Sequence, residues 1–145
     1  MLKRPITFEN LDGKTVTKDY WFNLSQLEVT ELQVSTDEGY GETLQKMMDD
    51  GNVRGVFATI KDIILMAYGE RDGEYFMKKD KEGYLLRHKF ECSPAFSTLY
   101  MELLADDNKS TEFILGVMPK DISKKVELQI KDKATTNTAE KTSEQ

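Results

Sequence analysis

The sequence predicts an α+β fold, mainly α, in which an amino-terminal β-hairpin packs on a small bundle of short helices around one longer helix. Three observations predict it. Residues 6–22 alternate apolar and polar side chains about an Asn10-Leu11-Asp12-Gly13 turn, the period-two mark of a hairpin. Val53, Val56, Phe57, Ile60, Ile63, Ile64, Ala67 and Tyr68 fall at successive i, i+3, i+4, i+7 spacings, which is one face of a helix. Shorter periodic runs flank that helix, each bounded by a capping or breaking residue.

In the hairpin, Ile6 and Phe8 alternate with Thr7 and Glu9. The return strand puts Val16, Tyr20 and Phe22 on one face and Thr15, Thr17, Asp19 and Trp21 on the other. Two strands alone are marginal, so the apolar face must lie against helices. Trp21 then belongs to the outer face, either offered to a partner or folded over the hairpin edge.

Ser25-Gln26-Leu27-Glu28 is a capping-box sequence, with Leu24 and Val29 at the two positions of a hydrophobic staple. It opens a helix over 26–34. A second short helix, 40–49, presents Tyr40, Leu44, Met47 and Met48 and is closed by Gly51. Asn52 is a natural N-cap for the long helix, 53–68, and Gly69 a natural residue for positive φ beyond it. Gly55, inside that helix, either marks a close approach or is simply tolerated. Burial of its large aliphatic residues makes this helix the expected core.

Residues 70–83 read as a charged connector with turns at Asp72-Gly73 and Gly83. Tyr84–Glu91 is ambiguous. Tyr84, Leu86, His88 and Phe90 alternate like a strand, while Leu86 and Phe90 also form an i, i+4 pair; a short helix is the favoured reading. Ser93-Pro94 starts a helix over 94–105, since Ser can cap and Pro suits the first helical position. Asp106-Asp107-Asn108 ends it, and a last helix over 110–118 buries Phe113, Ile114 and Val117 before Pro119. Residues 1–130 thus read as one domain. Residues 131–145 hold no apolar residue larger than Ala and read as a disordered polar tail.

Composition narrows the function. Of 145 residues, 39% are hydrophobic and 32% charged, enough for a modest core under a well-solvated surface. No stretch approaches the roughly 20 apolar residues of a membrane span, and Met1-Leu2-Lys3-Arg4-Pro5 leads into no apolar signal segment. A lone Cys92 permits no internal disulfide and fits a reducing cytoplasm. Residues 23–70 carry nine acids against three bases, the whole net charge of −6. Such an acidic half repels phosphate backbones, so nucleic acid is not an expected partner.

Catalytic chemistry finds little footing. One His and one Cys, His88 and Cys92, cannot supply a metal site. As a nucleophile pair they support only a remote enzyme alternative. Gly39-Tyr40-Gly41 lacks the Gly-Lys-Ser/Thr that follows in a phosphate loop, and no cofactor is implied. Binding chemistry is better served. Seven Met residues are present, and flexible thioethers suit adaptable apolar surfaces. Met47, Met48 and Met66, with Trp21, are the expected partner-facing residues. Met101 is the expected gap-filler of the core.

Three stretches together resemble the tail assembly chaperones of long-tailed bacteriophages of Gram-positive hosts. They are the hairpin end Tyr20-Trp21-Phe22-Asn23-Leu24-Ser25; Ile60–Gly73, in which Ile63-Ile64-Leu65-Met66-Ala67-Tyr68-Gly69-Glu70-Arg71 closes the long helix; and Phe90–Leu104 followed by Phe113-Ile114-Leu115-Gly116-Val117-Met118-Pro119-Lys120-Asp121. The resemblance covers most of residues 6–122. It implies a non-enzymatic helper in the infected cell's cytoplasm. Such a helper binds the tape measure protein, keeps it soluble while the tail assembles, and is absent from the finished virion. A connector retained in the particle is the alternative, and self-association is left open.

Overall fold

The computed structural model describes residues 1–121. Among the described residues helix makes up 54% against 21% strand, so the fold is α+β and mainly α. Strands β1 (Leu2–Glu9) and β2 (Thr15–Phe22) pair antiparallel from Leu2↔Phe22 to Glu9↔Thr15. Their turn is held by the Asn10 side chain, which accepts from the Asp12 and Lys14 amides at 3.0 Å each. The hairpin therefore starts at Leu2, not at residue 6, and takes in Pro5. β1 is the edge of the sheet, where a strand proline need break no ladder bond.

The 70–83 connector is in fact partly sheet. β3 (Tyr68–Asp72) pairs with β2, and β4 (Tyr75–Met77) turns back on β3 to complete the order β1-β2-β3-β4. The Asp72-Gly73 turn stands where expected, but Glu70, Arg71 and Asp72 give the strand no apolar alternation to read.

The helices follow their caps. α1 (Gln26–Val34) carries the full capping box on Ser25 and Glu28. α2 (Tyr40–Asp49) ends before Gly51, and α3 (Val53–Ala67) is capped by Asn52, which accepts from the Gly55 amide. α4 (Leu86–Glu91) confirms the helical reading of its stretch, and Lys79 pairs with Leu85 just before it. α5 (Pro94–Ala105) starts on Ser93. α6 (Asp107–Val117) starts three residues earlier than expected. Asp106 alone separates α5 from α6, accepting from the Asn108 and Lys109 amides.

Gly69 departs from its expected role. The helix passes straight into β3, and Gly69 is not at positive φ. A Cβ there would fall 2.6 Å from a Phe76 ring carbon and 2.8 Å from the Met77 carbonyl oxygen. The glycine is needed for close approach, not for a helix stop.

The core also sits elsewhere than expected. Its centre is aromatic: Phe22, Tyr68, Phe90, Phe96 and Phe113 are buried together. Tyr68 stacks on Phe90 at 4.2 Å, and Phe113 meets Phe22 edge-on at 5.1 Å, geometries that add to simple burial. From α3 come Ile63, Ile64, Leu65 and Ala67, all from its second half. Val53 is 59% exposed and Phe57 41%. The aromatic cluster gathers where β2, β3 and α4–α6 meet, so the first turns of α3 outrun it.

Candidate partner-binding surface

The four residues singled out in the sequence lie in three places. Trp21 pairs across the sheet with Lys3 and Gly69 on the face away from the core. Its half-buried ring lies under the Lys3 ammonium, 5.9 Å from the centroid. Met47 is half-buried between α2 and α3, its sulfur 3.8 Å from the Thr59 hydroxyl. A Cβ on Gly55 would come within 2.8 Å of that sulfur, which resolves Gly55 as a close-approach position. Met66 is half-buried and packs on the core. Only Met48 is exposed, at 54%.

Met101 reverses its expectation. It is 63% exposed, because α5 buries Ala95, Phe96, Leu99 and Leu103 and Met101 falls on the opposite side of that helix.

Two uncovered apolar features were not evident beforehand. The first is the overhang of α3. Val53 and Phe57, one turn apart, continue the core-facing stripe into solvent. Tyr100 on α5 donates to the Phe57 carbonyl at 2.8 Å and fixes the backbone there. α2, which packs on this part of α3, has no buried residue.

The second is a groove of about 560 Å³ on the outer side of α3, walled by α1 and α2 on one side and α4 on the other. Leu32, Tyr40, Ala58, Leu65 and Met66 give it apolar lining. Its rim is polar: Lys61 bridges to Glu91 at 3.0 Å, while Asp62, Arg87 and His88 line the opening. The signal for it was present as Ala58, Leu65 and Met66, a second stripe at i, i+7, i+8. The stronger stripe beside it masked the pattern.

Lys78 holds one end of this region together. Its ammonium donates to the Asn23 carbonyl at 2.8 Å and the Met66 carbonyl at 2.6 Å, with Glu28 at 3.6 Å. Met66 is in the last turn of α3, so a cation here also suits the helix dipole. Burial pushes the Lys78 pKa down, and Glu28 partly opposes that shift. Through Glu28, which also completes the α1 capping box, one lysine ties α1 to the end of α3.

Among the described residues, no group of three His, Cys, Asp or Glu side chains could hold a metal ion. His88 stands on the groove rim, and Cys92 is exposed at the end of α4. No helix among the described residues is long and apolar enough to cross a membrane.

An exposed stripe and an open groove on a small helical body suggest a protein-binding task. Comparison with protein families agrees: the sequence model for phage tail assembly chaperones matches residues 1–145. The chain belongs to the phage tail assembly chaperone family. Comparison with curated proteins and with solved structures gave no match. The family's role is a chaperone's, which is non-enzymatic. A chaperone family suggests a protein partner.

Proposed function

We propose that this tail assembly chaperone binds the helical tape measure protein and keeps it soluble while the tail assembles. The observation that carries the reading is the α3 overhang. A stripe that began as core ends with Val53 and Phe57 in solvent, and apolar surface left open at helical spacing suits the apolar face of another helix. Met48 lies just upstream, across the Gly51 turn, and is proposed as an adaptable contact at the same end. Met66 is proposed as a contact from within the groove, and Met47 as the packing that holds α2 in place. Trp21, on the far sheet face, is proposed for a separate contact. The acidic balance of residues 23–70 keeps the complex soluble and disfavours nucleic acid.

The action is placed in the host cytoplasm, with the chaperone leaving before the particle is complete. Co-expression tests it. Wild-type chain should move the tape measure protein into the soluble fraction, and a Val53→Glu/Phe57→Glu double variant should not, its circular dichroism unchanged. A tape measure protein equally insoluble with and without the wild-type chain would end the proposal. Mass spectrometry of purified virions should find no copy of the chain. A fixed copy number would point instead to a retained connector.

A further inference from the structure

We propose that the groove on the outer side of α3 seats one amphipathic α-helix whose two flanks carry opposite charge. The inference rests on the chaperone reading only for which protein supplies that helix.

Shape comes first. Ala58, Asp62, Leu65 and Met66 line the α3 side of the channel, facing Arg87 and Glu91 on α4, and the rise from Ala58 to Met66 makes it about 12 Å long, or roughly two turns. A volume of about 560 Å³ lies within the range of roughly 300–1,000 Å³ typical of binding clefts. That length and volume match the few apolar side chains a helix presents at i, i+3/i+4 and i+7.

Charge then selects the occupant. Asp62, exposed on α3, has no ion-pair partner among the described residues, and neither does Arg87 on the facing helix. Lys61 and Glu91 satisfy one another. An occupant that covers this groove desolvates both rims, and a covered charge without a partner is costly. A wholly apolar helix would strand Asp62 and Arg87 alike. A nucleic acid or an anionic membrane supplies only one sign. A helix with Lys or Arg over Asp62 and Asp or Glu over Arg87 answers both.

The test uses the full chain and a synthetic helical peptide of roughly 18 residues, about five turns. It has a Leu stripe, Lys along one flank and Glu along the other. Binding is followed by fluorescence anisotropy and by amide shifts of Ala58, Asp62, Met66 and Arg87. The mixed-flank peptide should bind more tightly than versions with both flanks Lys or both Glu. Asp62→Lys and Arg87→Glu should each weaken it about tenfold or more, as for close interfacial charge pairs. Ala58→Trp, which fills the channel from an exposed position, should abolish binding. Equal affinity for all three peptides, or unchanged binding by a folded Ala58→Trp chain, overturns the proposal. Should Ala58→Trp not fold, the two charge variants decide.

The groove and the chaperone reading separate cleanly. If Ala58→Trp and Asp62→Lys chains fail to bind the peptide yet still solubilise the tape measure protein, the client helix does not sit in the groove. If the wild-type chain binds the peptide there but solubilises nothing, the chaperone reading falls and the groove stands.

Discussion

At the scale of single residues, the molecule is most sensitive where aromatic rings meet. Phe90 is 3% exposed and touches Tyr20, Phe22, Tyr68 and Phe96. Phe90→Ala should cost about 3–5 kcal/mol, read as a lower midpoint in urea denaturation. Gly69→Ala tests the opposite fault, too much volume. The added methyl meets the Phe76 ring and a backbone oxygen, and overpacking of this kind costs about 1–3 kcal/mol. A Gly69→Ala chain as stable as wild type would show that the Phe76 ring moves aside freely. Both residues show what a sequence conceals. Phe90 was visible as apolar, but its partners come from three other elements. Gly69 looked like a helix stop because glycine after a periodic stretch usually is one, and the ring that excludes a side chain lies seven residues further along.

At the scale of elements, local chemistry was legible and long-range packing was not. The Ser25–Glu28 box, the Asn52 cap, the Ser93-Pro94 start and the Asp72-Gly73 turn act within a few residues of chain, so the sequence displays them. β3 and β4 stayed hidden because a short charged strand owes its state to the neighbour it pairs with. The two uncovered surfaces stayed hidden for a related reason. Periodicity reveals that Val53 and Phe57 share a face with Ile63 and Ile64, but not where the opposing layer ends. Among the four residues proposed for binding, side-chain chemistry suggested adhesion, and exposure then set Met48 apart from Met47 and Met66. The joint at Asp106 offers an element-scale test. One carboxylate caps α6 in the single-residue gap after α5, so Asp106→Ala should cost about 1 kcal/mol. The thermal midpoint should fall, and Asp106→Asn should restore most of it. Equal loss in both variants would assign the effect to charge instead of to the cap.

At the scale of the whole molecule, buried Tyr68 and three half-buried tyrosines set an alkaline limit. Tyr20, Tyr40, Tyr68 and Tyr100 have raised pKa values, in each case chiefly because burial disfavours the phenolate. Unfolded tyrosine titrates near 10. Above that pH the unfolded chain loses protons that the folded chain retains, so the stabilisation these groups carry is complete below about pH 10 and is lost as pH rises beyond it. Lys78 works the other way: its lowered pKa makes stability rise with pH between that value and its ordinary one near 10.4. Four tyrosines should outweigh one lysine. Melting temperature should therefore be level near neutrality and fall from about pH 10 upward; a flat profile to pH 11 would contradict the burial of these rings.

The absence of buried residues in α2 also bears on motion. Gly39 at φ 91° and Gly51 at φ 69° bracket the helix, each in a region glycine enters freely. What separates an opened α2 from a closed one is then little more than the half-buried faces of Tyr40, Leu44 and Met47. Segments with so few buried contacts open at a small fraction of the global unfolding free energy. In hydrogen–deuterium exchange, α2 amides should be replaced well before those of α5, at a rate that denaturant scarcely changes. Limited proteolysis should nick the chain first around this helix and leave the aromatic centre whole. Tyr40 lines the groove and Met48 lies near the exposed stripe, so the segment that comes loose most readily borders both.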